Sequence, residues 1–120
     1  MDWKIELIAI PVTDVDRAKD FYTKIGFTLD QDNAQGDLRF VQLTPPGSAC
    51  SICLGKGMPQ GEPGSVRGVH IVVASADDAY KKLLDAGVDV NPVEELSWGR
   101  FVYFADPDGN EWAVQELPVK

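Results

Sequence analysis

LIAIPVTDVDRAKDFYTKIGFTL (Leu7–Leu29) and GVHIVVASADDAYKKLLDAGVDV (Gly68–Val90) are one pattern written twice. A shift of 61 positions lays the first on the second without a gap, so that Ile10 meets Ile71, Val12 meets Val73, Asp16 meets Asp77, Ala18 meets Ala79 and Gly26 meets Gly87. The same shift carries Arg39-Phe40-Val41 onto Arg100-Phe101-Val102 and Pro46 onto Pro107. A fixed internal period decides architecture before any local reading. Two copies are too few for a solenoid, which needs three or more units to bury a continuous core. Two copies of a mixed helix–strand unit instead imply a pseudo-symmetric domain with a cavity between its halves.

Working outward, Ile5–Val12 is rich in β-branched residues and reads as a strand. Thr13 with Asp16 resembles a capping box. A helix is expected from about Asp14 to Ile25, with Ala18, Phe21, Tyr22 and Ile25 at helical spacing on one face. Gly26 suits the left-handed residue that ends such a helix. Strands follow near Phe27–Asp32, Leu38–Leu43 and Ala49–Leu54. In the second copy a strand at Gly68–Val73 leads to Ser75 as N-cap. The following helix presents Ala79, Leu83 and Ala86 on one face and stops at Gly87. Strands are then expected near Val88–Glu94, Arg100–Ala105 and Glu111–Glu116. Each half is therefore βαβββ: repeat one covers about residues 5–54, repeat two about 68–117. The stretch 55–67, rich in glycine and proline, reads as a linker. The whole of 1–120 is one α+β domain.

Composition narrows the function. With 44% hydrophobic and 25% charged residues the chain matches an ordinary globular domain. No apolar run approaches the roughly 18 residues that span a bilayer, so no membrane is expected as a partner. Met1-Asp2-Trp3-Lys4 lacks the basic-then-apolar order of a signal peptide, which points to the cytoplasm. The net charge of −8 opposes binding to phosphate backbones, so nucleic acid is not an expected partner either. Cys50 and Cys53 spell C-x-x-C, but on a strand, where residues three apart face opposite ways; no disulfide or redox role is expected. Trp3 and Trp112 are expected in the core.

The tandem βαβββ repeat, the helix ending at Phe21-Tyr22 and Gly26-Phe27, and the hairpin Phe104-Ala105-Asp106-Pro107-Asp108-Gly109-Asn110 together resemble the vicinal oxygen chelate superfamily. That group takes in glyoxalase I, extradiol dioxygenases, fosfomycin-resistance proteins and bleomycin-binding proteins. The resemblance implies two modules curved into a half-open eight-stranded barrel around a cavity, and a homodimer. In its metal enzymes, His or Glu from the first and last strands of each half hold a divalent ion. Carried over, those positions fall on Leu7, Gly68, Ala113 and Cys53 (or Ile52). A catalytic divalent site uses about three protein ligands, and the first three of these side chains cannot ligate. Neither metal nor cofactor is therefore expected. A site displaced to Cys53 and His70 for a soft metal such as zinc is the alternative.

Strand alternation then nominates the cavity lining. Leu7, Phe40, Gln42, Cys53, His70, Phe101, Tyr103 and Gln115 are expected to face a ligand, with Val72 beside them and Trp98 in the loop at the mouth. This is an apolar, aromatic cleft with few polar groups, the usual make-up of a small-molecule site. Arg39 and Arg100 have the opposite parity and are expected in salt bridges, with an anion clamp at the rim as the other option. The leading expectation is a metal-independent protein that binds a hydrophobic or aromatic small molecule, as bleomycin-resistance-type members do, and protects by sequestration. The first alternative is a cofactor-independent isomerase, cyclase or lyase using His70 and Tyr103 for proton transfer. The second is a lyase or dioxygenase with displaced metal ligands.

Overall fold

Both helices begin and end as the repeat dictates, and everything else is arranged around them. The computed structural model describes residues 1–118. Helix α1 spans Val15–Lys24 and helix α2 spans Ala76–Asp85. Ser75 caps α2 by accepting the Asp78 N–H at 3.1 Å. The cap of α1 is Asp14, whose carboxylate accepts the Arg17 N–H at 3.0 Å; Thr13, the expected cap, instead donates to Asp108 Oδ1 through its hydroxyl and its N–H. Asp14 wins because its side chain reaches the free N–H one turn inward while Thr13 is held by the distant hairpin. Gly26 and Gly87 end the helices at φ +111° and +79°, conformations that disfavour a β-carbon. Each also lies under a lysine of the other helix. A β-carbon on Gly26 would sit 2.6 Å from Lys82 Nζ, and one on Gly87 would sit 3.4 Å from Lys24 Nζ. Cations at helix C-termini complement the dipole.

The strands form two separate four-stranded sheets. The first holds β1 (Leu7–Ala9), β2 (Thr28–Gln35), β3 (Leu38–Thr44) and β4 (Ser51–Lys56) in the order β1-β4-β3-β2. The second holds β5 (Val69–Val72), β6 (Glu94–Leu96), β7 (Gly99–Ala105) and β8 (Glu111–Glu116) in the order β5-β8-β7-β6. In each sheet the module's first and last strands pair in parallel and the rest are antiparallel. The modules are thus two tandem βαβββ units of an α+β fold, and their sheets do not close.

Three expectations need correction. The strand expected at Val88–Glu94 is irregular until Glu94, because Pro92 lacks an N–H for a ladder and the Asn91 side chain takes the Tyr103 N–H at 2.7 Å in place of a backbone carbonyl. The first strand is shorter than Ile5–Val12. Trp3 is not core but 87% exposed: the chain is last tied to the sheet by Ser51 N–H donating to the Glu6 carbonyl, and Trp3 lies beyond it. The segment 57–68 carries no strand but is stitched down, with Gly64 N–H on the Pro11 carbonyl and Val66 N–H on Asn110 Oδ1. No helix among the described residues is long and apolar enough to cross a membrane.

One core joins the modules. Tyr22 of α1 is fully buried, and its ring packs against Phe27 and Trp112 with centroids 5.3 and 5.8 Å apart. The Tyr22 hydroxyl donates to Asp106 Oδ2 at 2.8 Å and accepts from Trp112 Nε1 at 3.0 Å. Asp106 also receives the N–H groups of Asp108 and Asn110 and the Asn110 side-chain amide. Burial, then the Asp106 charge, pushes the Tyr22 phenol far up, so it remains a donor. The Asp-Pro-Asp-Gly-Asn hairpin is therefore a clamp between halves. On the surface Arg39 pairs with Asp16 and Asp32, and Arg100 with Asp77 and Glu116. Asp16 and Asp77 are repeat equivalents, as are the two arginines, so the salt-bridge reading holds for both.

Candidate functional site

The face of each sheet turned away from the helices follows from register, because directly paired residues share a face. In the first sheet Leu7 pairs with Ser51, Cys53 with both Ala9 and Gln42, and Phe40 with Gly55 and Asn33. This face carries a ladder of amides. Asn33 Nδ2 donates to Gln31 Oε1 at 2.8 Å, and Gln31 Nε2 donates to Gln42 Oε1 at 3.0 Å. Beside it the Thr44 hydroxyl meets Ser51 Oγ at 2.6 Å and bonds to Asp30, where β2 bulges. Cys53 is buried, and that burial pushes its thiol up, so it stays an inert filler.

The second sheet presents His70, Val72, Phe101, Tyr103, Ala113 and Gln115 on its open face. His70 Nδ1 lies 2.6 Å from Gln115 Oε1. An amide oxygen only accepts, so Nδ1 is the donor in this bond. The Phe101 ring lies 6.3 Å from His70, edge-on, and 6.0 Å from Tyr103, nearly parallel. Tyr103 is 39% exposed. Partial burial and then the Glu94 carboxylate raise its phenol, which therefore stays protonated as a donor. A cleft of about 780 Å³ opens here, with His70, Tyr103 and Ala113 as its floor and Asp89, Asn91 and Glu111 among its walls.

Of the nominated residues only His70 and Tyr103 line this cleft; Phe101, 2% exposed, and Gln115 lie behind them on the same sheet, and Leu7, Phe40, Gln42 and Cys53 lie on the other sheet. Trp98 sits in the β6–β7 turn, 63% exposed and apart from the cleft lining. The nominated residues thus divide into two groups, one per module. Asn91, Asp89 and the Gln31–Asn33 ladder were not nominated from sequence. An Asn-Pro pair marks a turn, and that signal at Asn91-Pro92 identifies the loop that walls the cleft. The ladder has no sequence signal, because its register depends on the bulge at Asp30.

Residues 4–114 match the model of the Glyoxalase/Bleomycin resistance protein/Dioxygenase superfamily. The chain belongs to this superfamily. Among solved structures it is similar to TnmS3, an antibiotic binding protein from Streptomyces sp. CB03234, with 33% identity, 98% of each chain covered and a TM-score of 0.88. A glyoxalase/bleomycin resistance protein from the same organism gives 34% identity over 93% of this chain and 99% of that one, with a TM-score of 0.82. Among curated proteins, YetH of Bacillus subtilis (strain 168) is 27% identical over 117 residues, 94% of this chain and 98% of the relative.

The residues at the superfamily's metal positions do not fit an ion. Leu7 pairs with Ser51 and His70 with Ala113; Leu7, Gly68 and Ala113 offer no ligating side chain. Among the described residues no three His, Cys, Asp or Glu side chains converge on a point. Cys53 and His70 belong to different sheets, and the His70 Nδ1 is engaged by Gln115.

Proposed function

We propose that this member of the superfamily binds an aromatic, antibiotic-like small molecule without a metal and protects by sequestering it. One observation carries the reading: Gly68 and Ala113, at two of the superfamily's metal positions, offer no ligating side chain and line a cleft of about 780 Å³ together with Tyr103 and a His70 held by Gln115. The Tyr103 ring, backed by buried Phe101, supplies the flat wall for a ring system, and His70 and the Tyr103 phenol fix its polar groups. The likeness to an antibiotic binding protein supports the ligand class.

The same reading has a second copy of the chain covering the open faces. Leu7 and Val72 are large apolar residues left exposed there, and Trp3 and Ile5 continue the Leu7 side of the chain into solvent. A homodimer that lays module one of one copy over module two of the other brings the amide ladder opposite the aromatic wall.

The test is a titration of the chelator-treated protein with a polycyclic aromatic antibiotic. The expected result is a rise in Tm that is equal with and without EDTA, with the antibiotic recovered intact by mass spectrometry. A chemically altered product, or binding that requires added metal, overturns the reading. The His70 ring, held by Gln115 and lining the cleft, favours one competing reading, a cofactor-independent isomerase, cyclase or lyase. Under it His70→Ala abolishes product formation while affinity stays within about tenfold, roughly 1.4 kcal/mol.

A further inference from the structure

The seam between the modules has two matching sides, and only one is filled. The repeat equates Val15 with Ala76, Phe21 with Lys82, Tyr22 with Leu83, Ile25 with Ala86 and Phe27 with Val88. At each of these positions module two carries the smaller apolar residue, or a lysine. On the α1 side, Tyr22 fills the space against Trp112 and reaches Asp106. On the α2 side, Pro45 stands at the place of Asp106, and Leu83 cannot span the gap. A cavity of about 250 Å³ remains, walled by Phe27, Pro45, Val73, Leu83, Phe104 and Val114. Only two charged groups line it, Lys82 and Asp78, both on exposed residues of α2.

We infer that this cavity is a second small-molecule site, separate from the cleft, which takes one neutral phenolic ring. The chain itself supplies the template, since the equivalent space across the seam is occupied by a tyrosine ring with its hydroxyl hydrogen-bonded. An apolar cavity of roughly 150 Å³ already accepts benzene, so the space here admits a substituted ring. Its walls are apolar, and the charges at its mouth are one of each sign, which disfavours a charged ligand and leaves Lys82 Nζ as a donor and Asp78 as an acceptor for a hydroxyl. The site is distinct from the cleft because alternation on β5 and β8 sends Ile71, Val73 and Val114 to the seam and His70 and Ala113 to the open face.

The probe is p-cresol, the tyrosine side chain as a free molecule, titrated into the intact protein and followed by methyl NMR. We expect shifts at Ile71, Val73, Leu83 and Val114, half-saturating on the order of 1 mM, as befits a one-ring ligand. Leu83→Tyr installs the residue of the filled side and is expected to abolish those shifts. Ala79→Leu closes the cavity from the same helix and does the same, should Leu83→Tyr not fold. His70→Ala is expected to leave them unchanged. Shifts confined to methyls of the open face, no seam shifts at about ten times that concentration, or seam shifts that survive in a folded filling variant each overturn the site.

Discussion

Tyr22 and Leu83 occupy the same place in the repeat and face the same seam from opposite sides, yet they meet different surroundings. Tyr22 sits in a closed aromatic cluster and holds a buried carboxylate; Leu83 borders open space. One backbone plan serves both halves, and they differ in what each puts into it. The module with the better-packed seam offers an open face of amides. The module with the thinner seam offers the aromatic cleft.

This contrast can be broken by mutation, and the seam gives the largest effect. Tyr22→Ala is expected to destabilise by about 3–5 kcal/mol in urea unfolding, whereas Leu83→Ala costs only about 2–3 kcal/mol because its site already borders a cavity. Equal losses would mean the two sides are equally packed. Tyr22→Phe isolates the hydroxyl. It leaves Trp112 Nε1 without its acceptor and Asp106 with one donor fewer, and is expected to cost about 1–3 kcal/mol.

The open faces come next. Tyr103→Ala should weaken ligand binding about tenfold or more, near 1.4 kcal/mol, with Tm unchanged, while Gln42→Ala on the other sheet should weaken it less. The reverse order in calorimetric titrations would move the ligand to module one. Asn91→Ala orphans the Tyr103 N–H and is expected to cost about 1 kcal/mol, a loss with no counterpart in module one, where β2 supplies backbone acceptors.

The smallest effect lies in the surface pairs. Hydrogen bonds from Arg39, then Lys19, hold the Asp32 carboxyl far below the usual carboxylate range. The folded value is depressed, so the stabilisation is complete above the ordinary carboxylate range and is lost as pH falls through it toward the folded value. Asp32→Asn should therefore flatten the fall of Tm below about pH 4. Asp77→Asn, which removes a carboxylate paired with Arg100 alone, should flatten it less.

Much of this was legible in the letters. The 61-residue shift identifies both helices and Ser75 as a cap, and strand parity assigns Arg39 and Arg100 to salt bridges, though not their partners. The rest depends on contacts that no local pattern encodes. The engagement of Thr13 by Asp108, 95 residues away, has no local signal; the cap itself, Asp14, stands at the place the repeat gives Ser75, and the Thr13 reading fails because it takes the capping box over the repeat. The strand expected at Val88–Glu94 is displaced by a side-chain acceptor. Apolar composition placed Trp3 in a core, but nothing lies over it in a single chain. The pattern of β-branched residues specifies which way a side chain points; it does not specify whether another surface is there to meet it.

The Tyr22–Asp106 bond joins residues 84 apart in the chain, and this orders the protein's birth. A ribosome adding 5–20 residues per second needs roughly 4–17 s to travel that distance. During that interval the nascent first module has its phenol in contact with Phe21 and Phe27 but without Asp106 or Trp112. The half that is made first is thus the half that finishes last, and a transcript cut short before the closing hairpin yields a polypeptide with no way to seal itself.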